Sequence, residues 1–286
     1  MTDRLMSSES GAQLLARLEG RRSPRNTEPH LFLEDSSPAQ GDVVEFYGAE
    51  GTGKTEMLYH LVARCVLPAD SGGLEVEVMY VDTDYHFDML RLVTILERRL
   101  PQGSEEEVRS CLRRLYVVHC ASSLQLLFTL RYAEDTFCSR PSLGLLVVDS
   151  ISAFYWPDKS GGGHSVARQE SNLRRCVELL EKLLKDYRIV VFASTQAVMR
   201  GSFPDGAGPD EPSLSSWKQS SSARTDFGRT YLCKPWRRIV THRLAFSKTD
   251  ARRDGKQVFS VASSSTRTNR TKQCSFSITD VGVQFI

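Results

Sequence analysis

The 286-residue sequence has no C-x-x-C pair, no cluster of histidines and no apolar run long enough to span a bilayer. Its seven cysteines, Cys65, Cys111, Cys120, Cys138, Cys176, Cys233 and Cys274, are odd in number and widely spaced. That spacing argues against a disulfide framework and suits buried thiols in a reducing compartment. The six histidines do not join the cysteines in a zinc-ligand pattern. No secretory apolar region opens the chain, and no internal repeat runs through it. The expectation is a cytosolic or nuclear protein with no membrane partner. A basic import tract is also lacking, since Arg21-Arg22-Ser23-Pro24-Arg25 is short. Net charge is only +2, so its total names no ligand. Its distribution says more: from Arg224 onward thirteen Lys and Arg stand against four Asp and Glu. Two readings of that segment stay open, a solvated face and a surface for phosphates.

What is present is a phosphate loop. Gly48, Ala49, Glu50, Gly51, Thr52, Gly53, Lys54 and Thr55 fit G-x-x-x-x-G-K-[ST] without a mismatch. An apolar strand, Val43 to Tyr47, precedes the loop, and a helical pattern from Glu56 to Cys65 follows it. Glycines let the loop turn its N–H groups inward as a nest for phosphate oxygens. The helix start adds partial positive charge at the same point. Lys54 suits the β- and γ-phosphates of ATP, and the Thr55 hydroxyl suits Mg2+.

Residues 1–40 read as a short N-terminal helix, with Leu14, Leu15 and Leu18 on one side and Gly20 as its stop, followed by a polar surface connector. Residues 41–286 read as the core. Apolar strands at Val76–Val81, Leu115–His119, Leu145–Val148 and Ile189–Ala193 alternate with helices at Phe87–Arg99, after a Ser104/Glu107 capping box, at Leu124–Phe137 and at Val166–Tyr187. Such alternation predicts an α/β fold: a mostly parallel twisted sheet with helices on both faces. Residues 197–235 read as a long flexible insertion, richest in Ser, Gly and Pro over Arg200–Ala223. Beyond it, Ile239–Ser247, Gln257–Ala262, Phe276–Thr279 and Val283–Ile286 read as strands of a C-terminal antiparallel extension, with Asp254-Gly255 as a hairpin turn.

Three strand ends carry candidate chemistry. Asp149 closes an apolar strand where a phosphate-loop protein holds magnesium; it is otherwise a turn cap. Asp84 either orients a water toward the γ-phosphate or shapes a turn. Gln196 either reads the γ-phosphate or is a plain strand end.

These strand ends together resemble the RecA-type recombinase ATPases, and among them the eukaryotic recombinase paralogues. The matching stretches are GAEGTGKTEMLYHL, VDTDYHFDMLRL, LLVVDSISAFYW, GGGHSVARQESNL and VVFASTQAV, then Trp236 followed by THRLAFSK, and ITDVGVQF at the end. The resemblance implies a RecA-like P-loop ATPase core that binds ATP and Mg2+. It implies that Arg91 packs on the adenine and that Gly161–Ser165 and Arg200–Ala223 lie in two DNA-facing loops, with Arg168-Gln169 beginning the helix after the first. It also implies a nuclear subunit of a hetero-oligomeric paralogue complex in homologous recombination repair. The D-type paralogue would be its direct neighbour, and single-stranded or branched DNA would be reached through the complex.

Departures from the family pattern qualify this. Asp84 stands where the family carries its catalytic Glu, which draws the carboxylate back by about 1.5 Å and implies weak or absent hydrolysis. Gly162 replaces a DNA-contacting Arg. The family's N-terminal domain and linker strand are not in the sequence, so the expectation is a subunit that ends an assembly. Trp217 either stacks on a base or packs on a partner. An active DNA-dependent ATPase with strand-exchange activity is the competing reading, and a small-molecule kinase a weaker one, since a kinase needs an arginine-bearing lid.

Overall fold

The computed structural model describes residues 22–101, 103–155, 157–158, 170–196, 232–253 and 256–286, together with Ser10, Gly11 and Leu15. The expected loops at Gly161–Ser165 and Arg200–Ala223 lie outside the described residues, as do Arg168, Gln169, Trp217, Leu14, Leu18, Gly20, Asp254 and Gly255.

The elements are β1 (Val43–Gly48), α1 (Lys54–Val66), β2 (Glu77–Asp82), α2 (Met89–Arg99), α3 (Glu105–Leu112), β3 (Leu115–His119), α4 (Ser123–Ser139), β4 (Leu143–Asp149), α5 (Ser171–Tyr187), β5 (Val190–Gln196), α6 (Lys234–Ile239), β6 (His242–Arg253), β7 (Lys256–Ser265), β8 (Thr268–Thr279) and β9 (Gly282–Phe285). The strands form one sheet in the order β3-β2-β4-β5-β1-β6-β7-β8-β9. Pairing is parallel from β3 through β1 to β6, and antiparallel from β6 to β9.

The parallel half is apolar on both faces because both are covered. In β4 every residue is buried. Leu145 and Val147 pack with α1, α2 and α3, while Leu146 and Val148 pack with α4 and α5. A one-residue slip would exchange these two sets, so the register is tightly specified. The capping box of α3 is present: Glu107 N donates to Ser104 Oγ at 3.3 Å, and Ser104 N to Glu107 Oε2 at 3.2 Å.

Four expectations need correction. The described part of the expected connector, residues 22–40, is tied into the core rather than lying wholly on the surface. Leu31 and Phe32 are core residues, Glu28 is buried, and Lys272 Nζ on β8 donates to the carbonyl of Phe32 at 3.0 Å. Polar spacing hid the two apolar anchors. Ile239 does not open a strand but closes the short helix α6, and β6 begins at His242. Residues 232–235, assigned to the insertion, are described, with Leu232 and Cys233 buried and Lys234-Pro235 opening α6. The fourth correction is length. β8 runs over twelve residues rather than four, because its N-terminal half alternates polar residues that carry no strand signal.

Glu45 is the exception within the apolar β1. It is fully buried, and it accepts from Thr195 Oγ1 at 3.2 Å, Trp236 Nε1 at 3.0 Å and Arg243 Nε at 2.6 Å. Its three partners sit on β5, α6 and β6. One carboxylate therefore ties the residues on either side of the 197–231 stretch to the strand that leads into the phosphate loop. Removing one partner of such a buried pair costs about 3 kcal/mol or more.

Candidate functional site

Gly48, Asp82, Asp149 and Gln196 end neighbouring parallel strands in register, Gly48 opposite Gln196 and Asp82 opposite Asp149. Ligands of open α/β sheets bind outside these carboxyl ends. A cleft of about 290 Å³ opens there, lined by Glu50 to Glu56, Asp84, His86, Asp149, Ser150, Ser194, Gln196 and Ile278. Almost all the sequence-predicted site residues are thus brought together.

The loop has the backbone its glycines allow. Gly53 caps α1 at φ 87°, and a Cβ there would sit 3.1 Å from the Phe276 ring. At Gly48 a Cβ would meet the Phe246 carbonyl oxygen at 2.7 Å, so the loop's first residue is fixed by close approach to β6. The Lys54 ammonium donates to the carbonyls of Gly48 at 2.9 Å and Ala49 at 2.7 Å, tucked beneath the loop. Burial holds its pKa below the ordinary lysine value, opposed by the Asp149, Glu50 and Asp84 charges.

Thr55 Oγ1 donates to Asp149 Oδ2 at 2.9 Å, so the two expected magnesium ligands touch. Asp149 also accepts from Tyr80 Oη at 2.8 Å and from Ser194 Oγ. Burial, with the Asp149 charge beside it, raises the Tyr80 phenol well above its usual range and keeps it a donor. Sequence periodicity gives no signal for either hydroxyl: Tyr80 sits inside an apolar run, and Ser194 directly follows one. Among the described residues no three His, Cys, Asp or Glu converge as a metal cage. Magnesium held by a carboxylate, a hydroxyl and nucleotide phosphates needs none, so these residues fit an ATP–magnesium pair.

Asp84 faces the cleft from a braced turn. Asp82 Oδ1 and Oδ2 accept from the amides of His86 at 3.3 Å and Phe87 at 3.1 Å. The Tyr59 hydroxyl donates to the His86 carbonyl and accepts from the Asp88 amide. Burial, then the Asp149 charge, pushes the Asp84 carboxyl above the usual range. Gln196 also lines the cleft, and its backbone N–H donates to Ser152 Oγ at 3.0 Å.

Arg91 sits apart from the cleft lining. Its guanidinium binds Glu56 at 2.9 Å and donates to the carbonyls of Thr279 and Asp280 in the β8–β9 turn. With Glu56 engaged by Arg91, Lys54 is left facing Glu50, Asp84 and Asp149. The balance is negative, and a triphosphate entering there needs a divalent cation to offset it.

The Rad51 family model matches residues 37–211. The chain is 52% identical over 278 residues to the DNA repair protein XRCC2 of Mus musculus, covering 97% of each. It is 28% identical to the DNA repair protein XRCC2 homolog of Arabidopsis thaliana, over 73% of this chain and 69% of that one. To the DNA repair protein rhp51 of Schizosaccharomyces pombe it is 33% identical, over 55% of this chain and 41% of that protein.

Proposed function

Because the chain belongs to the Rad51 family, we propose that it is a nuclear subunit of a recombinase-paralogue complex in DNA repair by homologous recombination, seating ATP with magnesium and hydrolysing it slowly or not at all. The observation that carries the nucleotide part is the loop itself: Gly53 at φ 87°, Lys54 beneath the loop and Thr55 against Asp149. Loop amides and the Lys54 ammonium bind the phosphates. Thr55 and Asp149 hold the magnesium, with Tyr80 and Ser194 fixing the carboxylate's orientation. Bound magnesium supplies charge neutralisation at the phosphates. Asp84 orients water, from a carboxylate set too far back for rapid attack. Gln196 reads the γ-phosphate from the strand end that leads into the 197–231 stretch, and Arg91 flanks the base.

Partner binding, with the D-type paralogue as neighbour, draws support from β3, an edge strand of the sheet. Such an edge offers unpaired backbone groups to a second chain.

The test is nucleotide affinity of the purified partner complex, by titration with a fluorescent ATP analogue, against the same complex carrying Lys54→Ala. Charge-assisted hydrogen bonds contribute about 1.5–3 kcal/mol each, so the variant is expected to bind roughly 10- to 100-fold more weakly. Equal affinity would overturn the reading.

A further inference from the structure

Stability alone does not call for a carboxylate at position 45. Val43, two residues earlier on the same face of β1, is an apolar core residue. Apolar side chains in place of Glu45 and its partners would hold the sheet as well or better, because the desolvation of a buried ion pair often outweighs its attraction. What a carboxylate adds is direction. Glu45 Oε1 accepts from Thr195 Oγ1 at 3.2 Å and from Trp236 Nε1 at 3.0 Å, and Oε2 accepts from Arg243 Nε at 2.6 Å. Arg243 is its register partner on β6, and Trp236 is fully buried on α6. Glu45 is therefore held from two elements and points its remaining reach at a third, the end of β5.

Side chains alternate across a strand, so the last residues of β5 are caught from opposite faces. Ser194 donates to Asp149, on the face that also carries Tyr80, and its carbonyl accepts from the Ile151 N–H at 3.0 Å. Thr195 faces the other way and donates to Glu45. Ser194 and Gln196 line the phosphate cleft, whereas Thr195, between them, is turned to the buried carboxylate. Two carboxylates thus grip one strand end, and only Asp149 faces the cleft. Gln196 lies opposite Gly48 in register, so any shift of the β5 end moves Gln196 against the first residue of the phosphate loop.

We propose that Glu45 is a positioning residue of the nucleotide site: acting through Thr195, it sets where Gln196 stands beside the γ-phosphate, and so how well the cleft distinguishes ATP from ADP. This rests on the proposed seating of ATP in that cleft. The loop amides hold phosphates that both nucleotides share, while the β5 end meets the one that ADP lacks. Glu45 touches no ligand itself.

The experiment is titration of the purified partner complex with fluorescently labelled ATP and ADP in the presence of magnesium. Thr195→Val keeps the β-branched shape and leaves Glu45 paired with Trp236 and Arg243, so it severs the link without stripping the buried charge of its partners. It is expected to weaken ATP binding by roughly 2- to 10-fold, the worth of one hydrogen bond, and to leave ADP binding unchanged. Thr195→Ser, which keeps the hydroxyl, should retain the parent's preference for ATP. A merely structural role would lower both affinities together, and that result would overturn the proposal. So would an unchanged ATP-to-ADP ratio in Thr195→Val, or the same loss in Thr195→Ser. Lys54→Ala in the same titration separates the two readings. Lys54-dependent binding with a ratio indifferent to Thr195 removes the positioning role alone, and binding indifferent to Lys54 removes the nucleotide seat and this role with it.

Discussion

Asp84 stops one methylene short of where a glutamate would reach. Its turn is braced by Asp82 and Tyr59, so the backbone cannot easily advance to make up the difference. Misplacement on the order of 1 Å can cost about a hundredfold in rate. Asp84→Glu is therefore expected to raise single-turnover ATP hydrolysis by up to about a hundredfold, with nucleotide affinity little changed. A rate equal to the parent would show that reach is not what limits the chemistry. The same residue shows why a strand-end carboxylate is ambiguous in sequence: its neighbours His86 and Phe87 donate amides to Asp82, so the turn-forming Asp is Asp82, while Asp84 stays turned to the cleft.

Among the elements, the stretch ahead of β1 carries a buried polar network. Glu28 accepts from His60 Nε2 at 2.7 Å and lies 2.8 Å from His30 Nδ1, while Arg99 reaches His60 Nδ1 at 2.7 Å. Those partners assign His60 as the neutral Nε2–H tautomer, and burial, aided by Arg99, holds its pKa below the ordinary value. Burial alone would raise the Glu28 carboxyl, but the hydrogen bonds from His60 and His30 outweigh it and hold it low. A lowered carboxylate stabilises the fold above its ordinary range, and that stability is lost as pH falls toward the folded value. The lowered His60 acts in the same direction, because the unfolded chain takes up a proton that folded His60 refuses. Urea midpoints are thus expected to fall between pH 7 and pH 4, and more gently in Glu28→Gln. An identical pH slope in the variant would refute this.

Sequence periodicity could not have revealed that network. Glu28, His60 and Arg99 are scattered over three elements, and each looks like an ordinary surface residue in its own window. Where one element carried its own signal, as in β1, the glycine loop and α1, the reading held to within a residue or two. It failed where burial depends on a distant partner: Leu31 and Phe32 under β8, Glu45 under Trp236, and the serine-rich end of β7, whose strand character comes from pairing with β6 and β8. Of the candidate site, the loop, Asp84, Asp149 and Gln196 stand at or just beyond strand ends in the sequence, and the fold brings them to one cleft. Tyr80 and Ser194 were not legible, since hydroxyl support for a carboxylate leaves no fixed spacing.

At the scale of the molecule, the two flanks of the sheet differ. The antiparallel flank ends at the short strand β9, which pairs with β8. The other ends at β3, and the helix that follows, α4, shows Leu124, Phe128 and Tyr132 to solvent at four-residue intervals, each more than half exposed. An apolar stripe of this kind beside an open edge suits a partner subunit. Phe128→Ser is expected to abolish co-purification of the neighbouring paralogue while shifting stability by no more than about 0.5 kcal/mol. Intact co-purification would move the interface elsewhere. The antiparallel flank has a different significance. Phe276 props Gly53, Ile278 walls the cleft, and the β8–β9 turn grips Arg91. The last dozen residues therefore complete a chamber begun more than two hundred positions earlier. On the proposed reading, damage to that tail would surface as poor ATP retention, a symptom remote from the lesion.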